Sequence, residues 1–169
     1  KVRIDRNLFQ NPNWERHNIM AYNYRLPELC AAVGLAQLEK ADWLCELRVL
    51  MGDAYTKAIG SNPLLTPQFV PPGYKHSYYT FGALFNPELG VKWEEFRLKY
   101  MEFGGDGIFA AWQTVNNEPA FNGVGWGEVP VAEKLQRNLM QFTTNQANES
   151  ERSMQAEILF KTLEFFRTH

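Results

Sequence analysis

Histidine and cysteine are scarce in this chain, three and two among 169 residues. His17, His76 and His169 are scattered, and Cys30 and Cys45 lack ligand spacing, so no metal centre is expected. Both cysteines fall in one predicted helix, where the helical rise sets them roughly 22 Å apart, too far to pair. Neither has an activating neighbour. Both are therefore expected as buried small apolar groups, and two thiols without a framework suit a reducing, cytoplasmic compartment. Basic excess is lacking too: 17 Lys and Arg against 19 Asp and Glu leave a net charge of -2, which argues against a nucleic-acid surface. The longest uncharged apolar stretch, around Leu29 to Leu38, is too short to span a bilayer, and no polybasic cluster flanks an apolar helix. Neither nucleic acid nor membrane is expected as a partner. There is no Gly-x-Ser-x-Gly elbow, and no Gly-Lys-Ser/Thr follows the glycine-rich turn at GGDG. The opening KVRIDRNLFQNPNW carries no initiator Met, signal peptide or transit pattern, and a segment cut from a longer chain is expected.

What is present is apolar and aromatic. Hydrophobic residues make up 45% and aromatics 14%, enough for a packed core and too much for disorder. Residues 1–26 are polar, aromatic and irregular. Leu29, Val33, Ala36, Trp43, Leu47, Leu50 and Ala54 then recur at three- and four-residue steps, which predicts one long helix from Pro27 to about Ile59, stopped by Gly60, with a kink near Gly52. A loop with four prolines follows. Ser77–Phe85 reads as a strand, VKWEEFRLKYMEFG as a helix with Trp93, Phe96 and Tyr100 on one stripe, and Ile108–Val115 as a second strand. The segment around Phe69 offers a third strand. A short helix starts near Val131, and a final helix points Met154, Ile158, Leu159, Leu163 and Phe166 inward. Helices and a few strands in mixed order predict an α+β domain: a long N-terminal helix, then a small antiparallel sheet covered by helices.

Three stretches could carry chemistry. In AYNYRLPEL, Pro27 suits the first helical turn, which leaves Leu26 at the N-cap, where an oxygen-bearing side chain is preferred. The free N–H groups can receive an anion, with Asn23, Tyr24 and Arg25 as further donors; a phosphate or carboxylate site is one reading. The other is a surface loop in which Arg25 pairs with an acid and water satisfies the N–H groups, and Glu28 in the first turn favours it. In GYKHSYYTF, strand alternation puts His76 and Tyr78 on one face and Tyr79 on the other. Such a pair at a strand mouth can bond sugar hydroxyls or phosphates, or His76 is a half-exposed histidine of no special role. In GGDGIFAAWQTVNNEPAF, Asp106 reads equally well as a turn residue.

YNYRLPELCAAVGLAQLEKADWLCELR resembles the signature of the DegT/DnrJ/StrS family of sugar-nucleotide aminotransferases. These are pyridoxal-phosphate enzymes of the aspartate-aminotransferase fold. The order that follows is also similar: a Pro-rich loop, YKHSYYTF, a helix, GGDGI, EPAF, PVAEKLQ and a final helix. The resemblance implies a C-terminal portion only. Residues 1–26 would be an irregular segment carried over from the large domain, 27–60 a long connecting helix and 61–169 the C-terminal small domain. It implies that Asn23 reaches across a homodimer interface to the partner subunit's pyridoxal 5'-phosphate, with Arg25 reinforcing that contact or touching the substrate's phosphates, and that His76 and Tyr78 help hold the nucleotide-sugar substrate. The amino-acid donor would be glutamate.

The resemblance also implies what lies elsewhere. The Schiff-base lysine and the aspartate that pairs with the pyridine nitrogen belong upstream, so no catalytic residue is assigned in this chain, and the chain by itself is expected to be inactive. LMQFTTNQ replaces a more usual Leu-Pro segment, and VNNEPAF departs from an aromatic-rich form of its loop; both leave the sugar open. The alternative is a stand-alone, non-catalytic binding or dimerisation module.

Overall fold

The computed structural model describes residues 22, 26–110, 113–121, 124–125 and 127–168. Five α-helices lie among them: α1 Glu28–Leu38, α2 Ala41–Ile59, α3 Trp93–Glu102, α4 Pro130–Asn138 and α5 Glu149–Thr168. Four strands accompany them: β1 Leu65–Pro67, β2 Phe81–Phe85, β3 Ile108–Ala110 and β4 Leu139–Phe142. The α+β class read from the sequence is the one found. The chain divides into two units between Leu38 and Glu39. In the first, α1 buries none of its residues, and Leu29, Val33, Leu35 and Leu38 are exposed.

The second unit is built on one antiparallel sheet of order β1-β2-β4-β3. Its register sets Leu65 opposite Phe85, Phe81 opposite Phe142, Ala83 opposite Met140, and Ile108 opposite Phe142. The period of two then gathers all seven of these side chains on one buried face. Helices α2, α3 and α5 supply most of the rest of the core: Met51, Tyr55 and Ile59, then Phe96 and Tyr100, then Ile158, Leu159 and Leu163, with Leu64 added from the residue before β1. Tyr55 sits between Phe81 and Phe142 with ring centroids 5.3 and 5.4 Å away, and Tyr100 meets Phe142 edge-on at 5.7 Å. Aromatic pairs of this kind contribute about 1 kcal/mol each beyond area burial. Helix α4 contacts β2 and β3, with Lys134 and Leu135 near Thr66 and Leu84, which alternate away from the core face.

The helix expected over Pro27–Ile59 is two helices, parted at Glu39–Lys40, where neither glycine nor proline marks a break. Helix α2 runs through Gly52 and stops at Gly60, whose φ of +54° suits a residue without Cβ. Its core face is Met51, Tyr55 and Ile59, not the predicted stripe: Trp43 and Leu50 are exposed. Both faces are apolar, so periodicity finds the repeat without saying which face is covered. Cys30 and Cys45 are exposed rather than buried, each on a side of its helix that nothing described packs against.

The predicted strands are trimmed. Ser77–Thr80 does not join β2, because Tyr78 has a φ of +45° and the Tyr78 and Tyr79 carbonyls bond side chains instead of a neighbouring strand. Of the strand expected over Ile108–Val115, Ile108–Ala110 is β3, residues 111–112 lie outside the described residues, and Val115–Asn117 is a 3-10 turn held by the Asn117 amide on Thr114 Oγ1. The third strand is Leu65–Pro67, short of Phe69; Pro67 is tolerated because β1 is an edge.

Candidate functional site

Asn23 and Arg25 lie outside the described residues. His76 and Tyr78 lie within them, on the segment that carries the chain from a turn at Pro71–Tyr74 into β2. That turn closes through Tyr74 N–H on the Pro71 carbonyl at 3.1 Å, with Gly73 at a φ of +84°. A position of that φ in a tight turn favours glycine.

The two side chains do meet, although not by strand alternation. Their ring centroids stand 4.6 Å apart at 57°. The link is a local loop bond: the Tyr78 N–H donates to His76 Nδ1 at 2.9 Å. An accepting Nδ1 leaves the proton of a neutral imidazole on Nε2. That nitrogen lies 3.1 Å from Gln68 Nε2. The Gln68 amide is oriented by its own oxygen, which accepts from the Gly82 N–H at 2.7 Å, while the Gln68 N–H extends the sheet pairing to the Gly82 carbonyl at 3.0 Å. Two donors therefore face each other on an exposed surface, and an acceptor oxygen is the partner both would take.

Tyr78 is half-buried. Its ring stacks near Phe81 at 6.0 Å and lies against Gly52 of α2, where a Cβ would come within 2.8 Å of ring atoms. Burial raises the Tyr78 phenol pKa above its usual value, with the Asp53 charge adding to it, so the phenol stays a neutral donor through physiological pH. Tyr79 turns the other way, 81% exposed, with the Arg48 guanidinium 5.8 Å from its ring centre. The site is thus a held loop with an imidazole and two phenols. The residues that hold it, Arg48, Gly52, Gln68 and Thr144, carry no motif in the sequence.

The GGDG turn is structural, not a phosphate cradle. Asp106 Oδ2 accepts from Gln146 Nε2 at 2.7 Å and Thr143 Oγ1 at 3.2 Å, and the Asp106 N–H donates to Gln155 Oε1 at 2.8 Å. Among the described residues no group of three or more His, Cys, Asp or Glu is placed to hold a metal, and no helix is long and apolar enough to cross a membrane.

Comparison with known proteins adds the wider frame. Residues 6–154 match the DegT/DnrJ/EryC1/StrS aminotransferase family. A GDP-perosamine synthase of Vibrio cholerae is 32% identical over 75 residues, which cover 44% of this chain and 20% of that protein. PseC of Helicobacter pylori, an aminotransferase of pseudoaminic acid biosynthesis, superposes with a TM-score of 0.72 at 19% identity over 92% of this chain and 43% of its own. The sugar aminotransferase Spr1654 of Streptococcus pneumoniae, solved in a PLP form, gives 0.69 at 18% identity over 92% and 41%. The chain thus spans less than half the length of these relatives.

Proposed function

Because this chain belongs to the DegT/DnrJ/EryC1/StrS aminotransferase family, we propose that it is the C-terminal portion of an enzyme that moves an amino group from an amino acid, glutamate by our reading, to a keto-sugar nucleotide. The observation that carries the role of this portion is the His76–Tyr78 pair. His76 is exposed, yet its imidazole is oriented by a backbone N–H at 2.9 Å. An exposed loop residue held this tightly is what a binding surface needs. His76 would donate from Nε2 to a substrate oxygen, a sugar hydroxyl or a phosphate, with Gln68 and the Tyr78 phenol as neighbouring donors.

The cofactor implied is pyridoxal 5'-phosphate, and the residues assigned to its phosphate are Asn23 and Arg25, acting across a homodimer interface. The start of α1 fits such a role: it opens directly after Pro27, with its first bond from Ala31 N–H to the Pro27 carbonyl at 2.9 Å. The N–H groups ahead of Ala31 have no intrahelical acceptor and suit an anion. When bound, the cofactor supplies the electron sink that makes amino transfer possible. This chain's part is to hold phosphate and orient the sugar.

The test is His76→Ala in the complete enzyme. KM for the keto-sugar nucleotide should rise about tenfold with the cofactor spectrum intact. Wild-type kinetics would remove His76 from the substrate site.

A further inference from the structure

Two peptide units beside His76 are gripped from two directions. Thr144, 2% exposed, donates its hydroxyl to the Tyr78 carbonyl at 2.6 Å and lies 3.1 Å from the Tyr79 carbonyl. Arg48 Nη1 donates to that Tyr79 carbonyl at 3.0 Å and to Thr144 Oγ1 at 3.1 Å. The chain Arg48 to Thr144 to Tyr78 is a relay in which a guanidinium polarises a buried hydroxyl, and each bond strengthens the next. From the other side the Tyr78 ring lies flat on Gly52, with 2.8 Å left for a Cβ. Tyr78 is also the non-glycine residue held at positive φ, +45°, among the described residues. A tyrosine stays there only where its surroundings over-determine it. The residue clamped in this way is the one whose N–H donates to His76 Nδ1 at 2.9 Å.

We infer that Arg48, Thr144 and Gly52 are positioning residues for substrate binding. They hold Tyr78 in the left-handed conformation, Tyr78 fixes the His76 tautomer, and His76 thereby presents Nε2–H to an oxygen of the nucleotide sugar. The inference rests on His76 being a substrate contact. It goes further in naming the device that sets that contact, drawn from α2 and from the segment after β4.

The experiment uses the complete enzyme with Thr144→Val, Thr144→Ser and Gly52→Ala, beside His76→Ala. Thr144→Val keeps the shape and removes the hydroxyl. KM for the keto-sugar nucleotide should rise about tenfold with kcat within about twofold, because the lost term is binding, not chemistry. Thr144→Ser restores the hydroxyl and should restore KM. The His76 ring nitrogens, read by long-range proton–nitrogen NMR without substrate, should report the Nε2–H tautomer in the wild type and a mixture in Thr144→Val. Gly52→Ala attacks from the opposite side. Alanine is the better helix former, so a purely structural role for this contact moves Tm without moving the tautomer, whereas the clamp moves both KM and the His76 shifts. The two ideas fail separately. Unchanged KM in His76→Ala overturns the substrate reading. A raised KM in His76→Ala, beside wild-type KM and wild-type His76 shifts in Thr144→Val, overturns the clamp; should Thr144→Val not fold, the same wild-type values in Gly52→Ala overturn it.

Discussion

Gln155 is the side chain on which the core's polar network turns, and Gln155→Leu tests that claim. The residue sits on α5, 2% exposed. Its Oε1 accepts twice, from the Tyr100 hydroxyl and the Asp106 N–H, both at 2.8 Å, so one oxygen ties α5 to α3 and to the GGDG turn. Leucine has nearly the same volume and removes the acceptor without opening a cavity. Two donors are then orphaned. The Tyr100 hydroxyl bond is buried and loses about 2 kcal/mol; the Asp106 N–H is part-buried, regains some water and loses about 1. The expected loss is about 3 kcal/mol, a large share of a stability that for ordinary domains is about 5–15 kcal/mol. Equilibrium urea unfolding, followed by tryptophan fluorescence, should show it as a midpoint about 1–2 M lower at unchanged slope. The sharper check is a cycle with Tyr100→Phe. In the wild-type background that change removes a satisfied hydroxyl and costs about 1 kcal/mol. In the Gln155→Leu background it removes an orphan, and should be neutral or stabilising. Additive effects, or a single-variant loss below about 1 kcal/mol, would refute the assignment of both bonds to that one oxygen.

Two further outcomes follow from the same structure. Burial pushes the Tyr55 phenol up to about 12 from 10.0. A raised folded-state pKa means that its contribution is fully present below pH 10 and is lost as pH climbs from 10 towards 12, about 3 kcal/mol in all; Tyr55→Phe should flatten that alkaline loss in urea titrations at stepped pH, and an identical pH slope would count against it. Asn23→Ala in the complete enzyme should release cofactor more readily on dialysis, followed by visible absorbance; unchanged retention would take Asn23 out of the phosphate site.

How far the sequence reaches depends on how local the cause is. Helix α3 was legible because Phe96 and Tyr100 lie on one short stripe, and the end of α2 because Gly60 is a local stop. The turn at Glu39–Lys40 has no such residue, so the pattern runs through it. β4 was missed for a different reason. LMQF is four residues long and follows α4 without a break, yet it pairs with both β2 and β3 and is central to the sheet. A strand that short is made by its partners, which lie 30 and more residues away in the chain, and not by its own propensity. The exposed cysteines teach the converse: Cys30 and Cys45 have the chemistry of core residues, but burial belongs to the helix face and not to the residue type.

The site divides along the same line. His76 and Tyr78 were visible because histidine is rare in this chain and the two stand two residues apart. Arg48, Gly52 and Thr144 were not, since each acts on a carbonyl or a ring that is distant in sequence; Thr144 is 66 residues from Tyr78 and 96 from Arg48. Yet one signal did point there. LMQFTTNQ is one of the two stretches that depart from the usual pattern of the aminotransferase family, and it supplies Thr143, Thr144 and Gln146. Thr144 grips the His76 loop, while Thr143 and Gln146 on either side bind the Asp106 carboxylate. The segment after β4 is therefore pinned to the GGDG turn by its flanks and uses its middle residue on the loop. A departure that merely drifted would have no reason to satisfy three separate partners. On the proposed substrate role of His76, this stretch supplies the hydroxyl that holds the neighbouring Tyr78 carbonyl.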